Sequence, residues 1–106
     1  MALERKNWTL NTYANAAWSD LVSEEAILAT ILIANTDLVN PVVVGIQIAD
    51  GTDASLAVIV PGKTLAAGES VTIDIRSINL ITGQKLQVQA DAAGANFLAS
   101  GVVSAP

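Results

Sequence analysis

Hydrophobic and polar positions alternate along most of the chain with the period of two that a half-buried strand imposes. In PVVVGIQIAD, Val42, Val44, Ile46 and Ile48 fall on one face, with Val43, Gly45, Gln47 and Ala49 on the other. ESVTIDIRS sets Val71, Ile73 and Ile75 against Ser70, Thr72, Asp74 and Arg76. KLQVQAD sets Leu86, Val88 and Ala90 against Lys85, Gln87, Gln89 and Asp91, and NFLASGVVS supplies a last β-rich run. The run ASLAVIV at 54–60 alternates less cleanly and is expected to stop at a turn, Pro61-Gly62-Lys63.

Turn signals separate these runs at regular intervals: Asn35-Thr36-Asp37 with Asn40-Pro41, Asp50-Gly51-Thr52-Asp53, Ala67-Gly68-Glu69, Thr82-Gly83-Gln84 and Ala93-Gly94. Short strands punctuated every ~8–12 residues predict an all-β sandwich or barrel. No helical segment separates two runs as a parallel crossover requires. The pattern therefore predicts an antiparallel β-sandwich of about seven or eight strands, jelly-roll or Greek-key in connection, over residues 23–106, preceded by an N-terminal arm over residues 1–22. The segment SEEAILATILIANT is ambiguous. Ser23 and two glutamates could open a helix, but Ile27, Ile31 and Ile33 are β-branched and favour a strand. The alanines of YANAAWSDLV would likewise tolerate a helical turn.

Composition narrows the chemistry. The chain has 106 residues, the size of one domain, and carries no cysteine and no histidine. Disulfides, thiolate nucleophiles, imidazole acid-base catalysis and the usual zinc ligand sets are closed to it. Five basic residues against ten acidic ones give a net charge of -5, which repels a phosphate backbone. The longest apolar run, Ala26 to Ala34, is about half of the ~20 residues a membrane-spanning helix needs. Neither nucleic acid nor membrane is an expected partner, and no secretory h-region or transit pattern is visible. With 52% apolar and only 14% charged residues, part of the surface is expected to meet another protein.

Individual motifs offer little to catalysis. Asp50, Gly51 and Asp53 resemble half of a calcium loop, but the closing glutamate and alternating oxygen ligands are missing, so a hairpin turn is favoured. Glu24 and Glu25 are adjacent, and adjacent residues of a strand point to opposite faces. Gly62-Lys63-Thr64 lacks the first glycine of a phosphate loop, and the serines have no histidine partner. No enzymatic activity, cofactor or metal is expected.

The segments ILIANT, VVVGIQIADG, LAAGESVTIDI and NLITGQKLQVQADAAGANFLASGV together resemble the small β-sandwich structural proteins of tailed bacteriophage virions, found in capsid decoration (cement) and tail roles. The resemblance spans roughly residues 25–104 and rests on turns and alternation. It implies a non-enzymatic viral structural protein, often a homo-oligomer such as a trimer, located on the capsid surface after assembly in the host cytoplasm. Its partners would be the major capsid protein or other virion subunits, and a tail or neck component is the alternative position.

Both tryptophans and the single tyrosine lie in the first eighteen residues. Burying two tryptophans removes roughly 300–500 Å² from water, on the order of 10 kcal/mol gross at about 25 cal/mol per Å². Fixing about twenty residues costs roughly 20–40 kcal/mol, so the aromatics alone cannot order this stretch. Backbone pairing along a sheet edge could, and that edge can belong to a neighbour. Residues 1–22 are therefore expected to be a docking arm, with Trp8, Leu10, Tyr13 and Trp18 as protein-interface residues. A carbohydrate-binding or adhesion module, using the aromatics as a platform, is the competing class.

Overall fold

The computed structural model describes residues 3–104, and the side chains of all of these except residues 11–16. The protein is all-β, and none of the described residues is helical. Seven strands follow in chain order: β1 (Leu3–Val22), β2 (Ala26–Asn35), β3 (Val42–Ala49), β4 (Ser55–Leu65), β5 (Ser70–Asp74), β6 (Asn79–Leu80) and β7 (Lys85–Ser104). The ambiguous segment after Ser23 is thus strand β2, where its β-branched isoleucines set Ile31 and Ile33 into the core.

Every pairing is antiparallel, and β7 is the spine. One edge of β7 carries β1 along its whole length, from Leu3 opposite Ser104 to Val22 opposite Leu86. Its other edge carries β3 over residues 85–90 and β2 over 95–102. β4 lies beyond β3, while β5 and β6 lie beyond β2.

The sheet must fold over on itself. Val22 lies opposite Leu86 and Ile27 opposite Val102, positions ~50 Å apart on a straight strand at about 3.3 Å per residue. Only Ser23, Glu24 and Glu25 join β1 to β2, and so short a link spans at most ~15 Å. The two halves of β7 therefore belong to two facing layers. The first layer is β1 (its second half), β7, β3 and β4; the second is β1 (its first half), β7, β2 and β5 with β6. Phe97, Leu28, Ile31 and Ile33 from the second layer join Val44, Ile46, Leu65 and Leu86 from the first in one core.

Two expected turns are corrected. Ala93-Gly94 does not separate two strands: β7 runs through it, bent where Gly94 adopts φ +109°, a conformation open to glycine at no steric cost. Pro61-Gly62 does not end a strand either. Val60 lies opposite Ile46 and Lys63 opposite Val44, so Pro61 and Gly62 bulge against Gly45 alone. β4 is an edge strand, where a missing N–H is tolerated and a bulge relieves the ladder.

The folded corner gathers the loops 36–41 and 66–69 and the bend of β7 at Gly94 around Asn35, which is 2% exposed. Its Nδ2 donates to the carbonyls of Asn40 (2.9 Å), Ala66 (3.2 Å) and Leu65 (3.3 Å), and its Oδ1 accepts the Asp37 N–H at 3.0 Å. Asp37 in turn accepts the N–H groups of Val39 and Asn40. A tight loop results, presenting Leu38 and Val39 to solvent.

Candidate functional site

The structure places residues 3–22, the arm of the sequence reading, in β1, hydrogen-bonded to β7 of the same chain. Trp8 lies opposite Ala99 with its ring in the core, 8% exposed. Its indole Nε1–H donates to Glu24 Oε2 at 3.0 Å, and Lys6 Nζ, 5.6 Å from the ring centroid, pairs with the same oxygen. These bonds, led by the Lys6 contact and followed by that of Trp8, hold the Glu24 carboxyl below its ordinary value. Glu24 thus ties the link between layers to the start of β1, a role its sequence neighbourhood does not reveal. Leu10, opposite Phe97, packs half-buried on the same core. Tyr13 faces Ala95 in the backbone register, and its side chain lies outside the described residues.

Trp18 stands apart from Trp8, on the outer face of the first layer. An ideal Cβ on Gly45 would lie 3.1 Å from Trp18 Cη2 and 3.3 Å from Gln89 Cγ, so the ring edge occupies the space that glycine leaves. Along this face Gln47 and Gln87 are 3% and 2% exposed, although their alternation predicts solvent. Gln47 Nε2 donates to Gln87 Oε1 at 2.8 Å, and Gln87 Nε2 donates to Asp20 Oδ1 and Asp53 Oδ1 at 2.9 and 3.0 Å. Lys85 Nζ closes the ladder on Asp53 and Asp20 at 2.9 and 3.3 Å. The Asp53 bond foremost, then that of Asp20, raises the Lys85 ammonium, and Lys85 lowers the Asp53 carboxyl. Amides, carboxylates and ammonium satisfy one another, leaving no buried side-chain polar atom unpaired among the described residues.

At the open end of the sandwich two adjoining grooves of about 260 and 290 Å³ share Ile27 and Val102 as walls. Leu3, Ile27 and Ile81 are 62%, 49% and 59% exposed there, beside Val102 and Val103. Gly101 makes the close approach of β7 and β2 possible, because a Cβ on it would sit 2.4 Å from the Ile27 carbonyl oxygen. Neither this apolar mouth nor the polar ladder is singled out by the sequence; only the surplus of apolar residues foretold a surface of the first kind.

Among the described residues no cluster of acidic side chains could hold a metal ion. Asp37, Asp50 and Asp74, like Glu24 and Asp53, are held below the ordinary carboxylate range, each by hydrogen bonds from its own loop or partner. At neutral pH these groups are fixed anions.

No family model matches the sequence, and no curated protein matches it. Among solved structures, the chain is similar to a chain of the infectious bursal disease virus Gx strain, with 12% identity and a TM-score of 0.47 over 93% of this chain. It spans 32% of that viral chain, about a third. It is also similar to a chain of the Bacillus endospore appendages described as disulfide-linked pili, with 14% identity, a TM-score of 0.49 and coverage of 96% and 89% of the two chains. Tobacco streak virus coat protein aligns with 12% identity, a TM-score of 0.39 and coverage of 96% and 90%.

Proposed function

We propose that the chain is a non-enzymatic virion structural protein, specifically a capsid decoration (cement) protein that holds to the major capsid protein or other virion subunits by protein–protein contacts. The observation that carries this reading is the apolar mouth at the open end, where Leu3, Ile27 and Ile81 stand in solvent around Val102 and Val103. Large side chains gathered there gain by being covered, and burial of apolar surface drives protein association. The fixed charges support the same reading, since general acid-base catalysis calls for groups titrating near the working pH. Strand β1, bearing Trp8, Leu10, Tyr13 and Trp18, is the docking element: Trp8 locks its first half in place, and the outer edge of that half is offered to a neighbour. Such an edge suits a homo-oligomer, such as a trimer on a threefold capsid position.

Gold-labelled antibody against the chain, applied to virions from its source, tests the assignment. Label over the shell is the expected result, and label over the tail or neck would move the protein to that position. Particles without label would overturn the virion role. A second reading, a carbohydrate-binding face, draws on Trp18 lying beside Gln89 on an outer sheet surface. Quenching of tryptophan emission by added oligosaccharide, lost in Trp18→Ala, would support it.

A further inference from the structure

The second layer has four strands in the order β1, β7, β2, β5, each antiparallel to the next. An even number of alternating strands has a useful property. If a second copy is set beside the first in the same orientation, its β5 runs antiparallel to β1 of the first, so the ladder can continue across the boundary. Both edges are suited to it. β1 pairs with β7 without a register shift from Leu3 to Leu10, and β5 pairs with β2 without one from Ser70 to Asp74. Neither stretch contains proline. The first layer's edge strand β4 has both proline and register shifts, the devices that discourage edge pairing.

The side chains select one register. Trp8 and Leu10 face the core, so Arg5, Asn7 and Thr9 face outward. On β5, Val71 and Ile73 pack on the core while Ser70, Thr72 and Asp74 face outward. A purely lateral shift sets Thr9 opposite Thr72 and carries Arg5 towards Arg76, like against like. A stagger of two residues, about 7 Å, sets Arg5 opposite Asp74, Asn7 opposite Thr72 and Thr9 opposite Ser70. On the inner face Trp8 then meets Val71, and Lys6 meets Ile73.

We propose that β1 of one copy adds to the edge of β5 of a second copy in this register, joining the second layers of successive copies into one antiparallel sheet. Arg5 becomes a second cation on Asp74, whose carboxylate Arg76 already holds at 2.7 Å. Opposite-charge and polar pairs directly across two strands favour the register that forms them. The contact is heterologous, so repetition builds closed rings or open rows according to the rotation per step, with copies spaced about 19 Å apart, four strands at ~4.8 Å each. The inference rests on the reading of the chain as a self-associating structural subunit and names the surface involved.

Because the chain has no cysteine, disulfide trapping is clean. Asn7→Cys and Thr72→Cys in one chain lie at opposite edges of the layer and two residues out of line, about 16 Å apart, too far for an internal bridge. Mild oxidation of the full-length double variant is expected to give a ladder of dimers, trimers and higher species on a non-reducing gel. A mixture of the two single variants should stop at a mixed dimer. Arg5→Asp should abolish trapping, and adding Asp74→Arg should restore it. Light scattering of the unmodified chain separates the two levels of failure. An oligomer without trapping, or one trapped more readily through Thr9→Cys with Thr72→Cys, overturns the proposed edge while self-association stands. A monomer at all concentrations, with no trapping, overturns both.

Discussion

Replacing Asn35 by alanine tests how the corner of the sandwich is held. The side chain is 2% exposed, and one amide group serves the carbonyls of Asn40, Leu65 and Ala66 while its oxygen receives the Asp37 N–H. A neutral hydrogen bond contributes about 1 kcal/mol net, and a buried group left unpaired costs ~1–3 kcal/mol. The Asn40 and Ala66 carbonyls lie nearer solvent and recover part of their loss from water, whereas Leu65 is wholly buried. The sum is a loss of about 3 kcal/mol, or ~12–15 °C in Tm for a chain of this size. Urea denaturation followed by tryptophan emission, with unchanged m, would measure it. Asn35→Asp should be worse at neutral pH, because its carboxylate faces carbonyl oxygens and donates nothing. Burial and those oxygens raise the carboxyl's folded pKa, so this variant should gain stability as pH falls through that raised value. A loss below about 1 kcal/mol in Asn35→Ala, or no pH response in Asn35→Asp, would show that the loops hold their shape without the amide.

Three further outcomes follow from the same geometry. Gly101→Ala should destabilise by about 2–3 kcal/mol or prevent folding, because its Cβ meets the Ile27 carbonyl oxygen at 2.4 Å, whereas Gly45→Ala meets only side-chain atoms of Trp18 and Gln89 and should cost under ~1 kcal/mol; equal costs in thermal melts would contradict this. Trp8→Ala should remove about 3–5 kcal/mol as a core truncation, and Trp8→Phe should lose about 1–2 kcal/mol with the Glu24 hydrogen bond; denaturant titration would refute core placement if both were neutral. Glu24 titrates below its ordinary 4.5 in the folded chain, so its contribution is present above that value and is lost as pH falls through the lowered folded value. Glu24→Gln should therefore be less stable at neutral pH and show a shallower acid decline in denaturation midpoints than the parent.

Where one face of a strand is buried and the other wet, the sequence declares it: Val71 and Ile73 alternate with the exposed Ser70, Thr72 and Asp74, whereas Val42 to Ile46 and Leu86 to Ala90 turn the expected residues to the core although Gln47 and Gln87 on the opposite face are buried as well. Trp8 and Leu10 alternate with Asn7 and Thr9 in the same manner, and that signal was available to place the first half of β1 on a sheet. What local pattern cannot convey is how runs connect. Gly94 looks the same whether it ends a strand or bends one, and Pro61-Gly62 is the same dipeptide in a turn as in an edge bulge. Gln47 and Gln87 are polar and fall on the face opposite the core, a pattern that points to solvent. They are buried because Asp20 on β1 and Asp53 beside β4 close over them, contacts far apart in the chain. The apolar mouth was foreseen in amount but not in place, since Leu3, Ile27, Ile81 and Val102 converge only once the sheet has doubled over.

The pairing of β1 with β7 also fixes a timetable. β1 leaves the ribosome before the other strands and its partner after them, so neither layer can close until β7 has emerged. At roughly 5–20 residues per second, β1 waits on the order of 3–12 s before the residues it will bind are made. Contacts so distant in sequence also form slowly once both ends are free. During that interval the Trp8 ring has no core to enter, and a β7 edge from another nascent chain is as acceptable to β1 as its own. Closely spaced ribosomes on one message would therefore favour entangled copies, and slow, well-separated synthesis would favour chains closed on themselves.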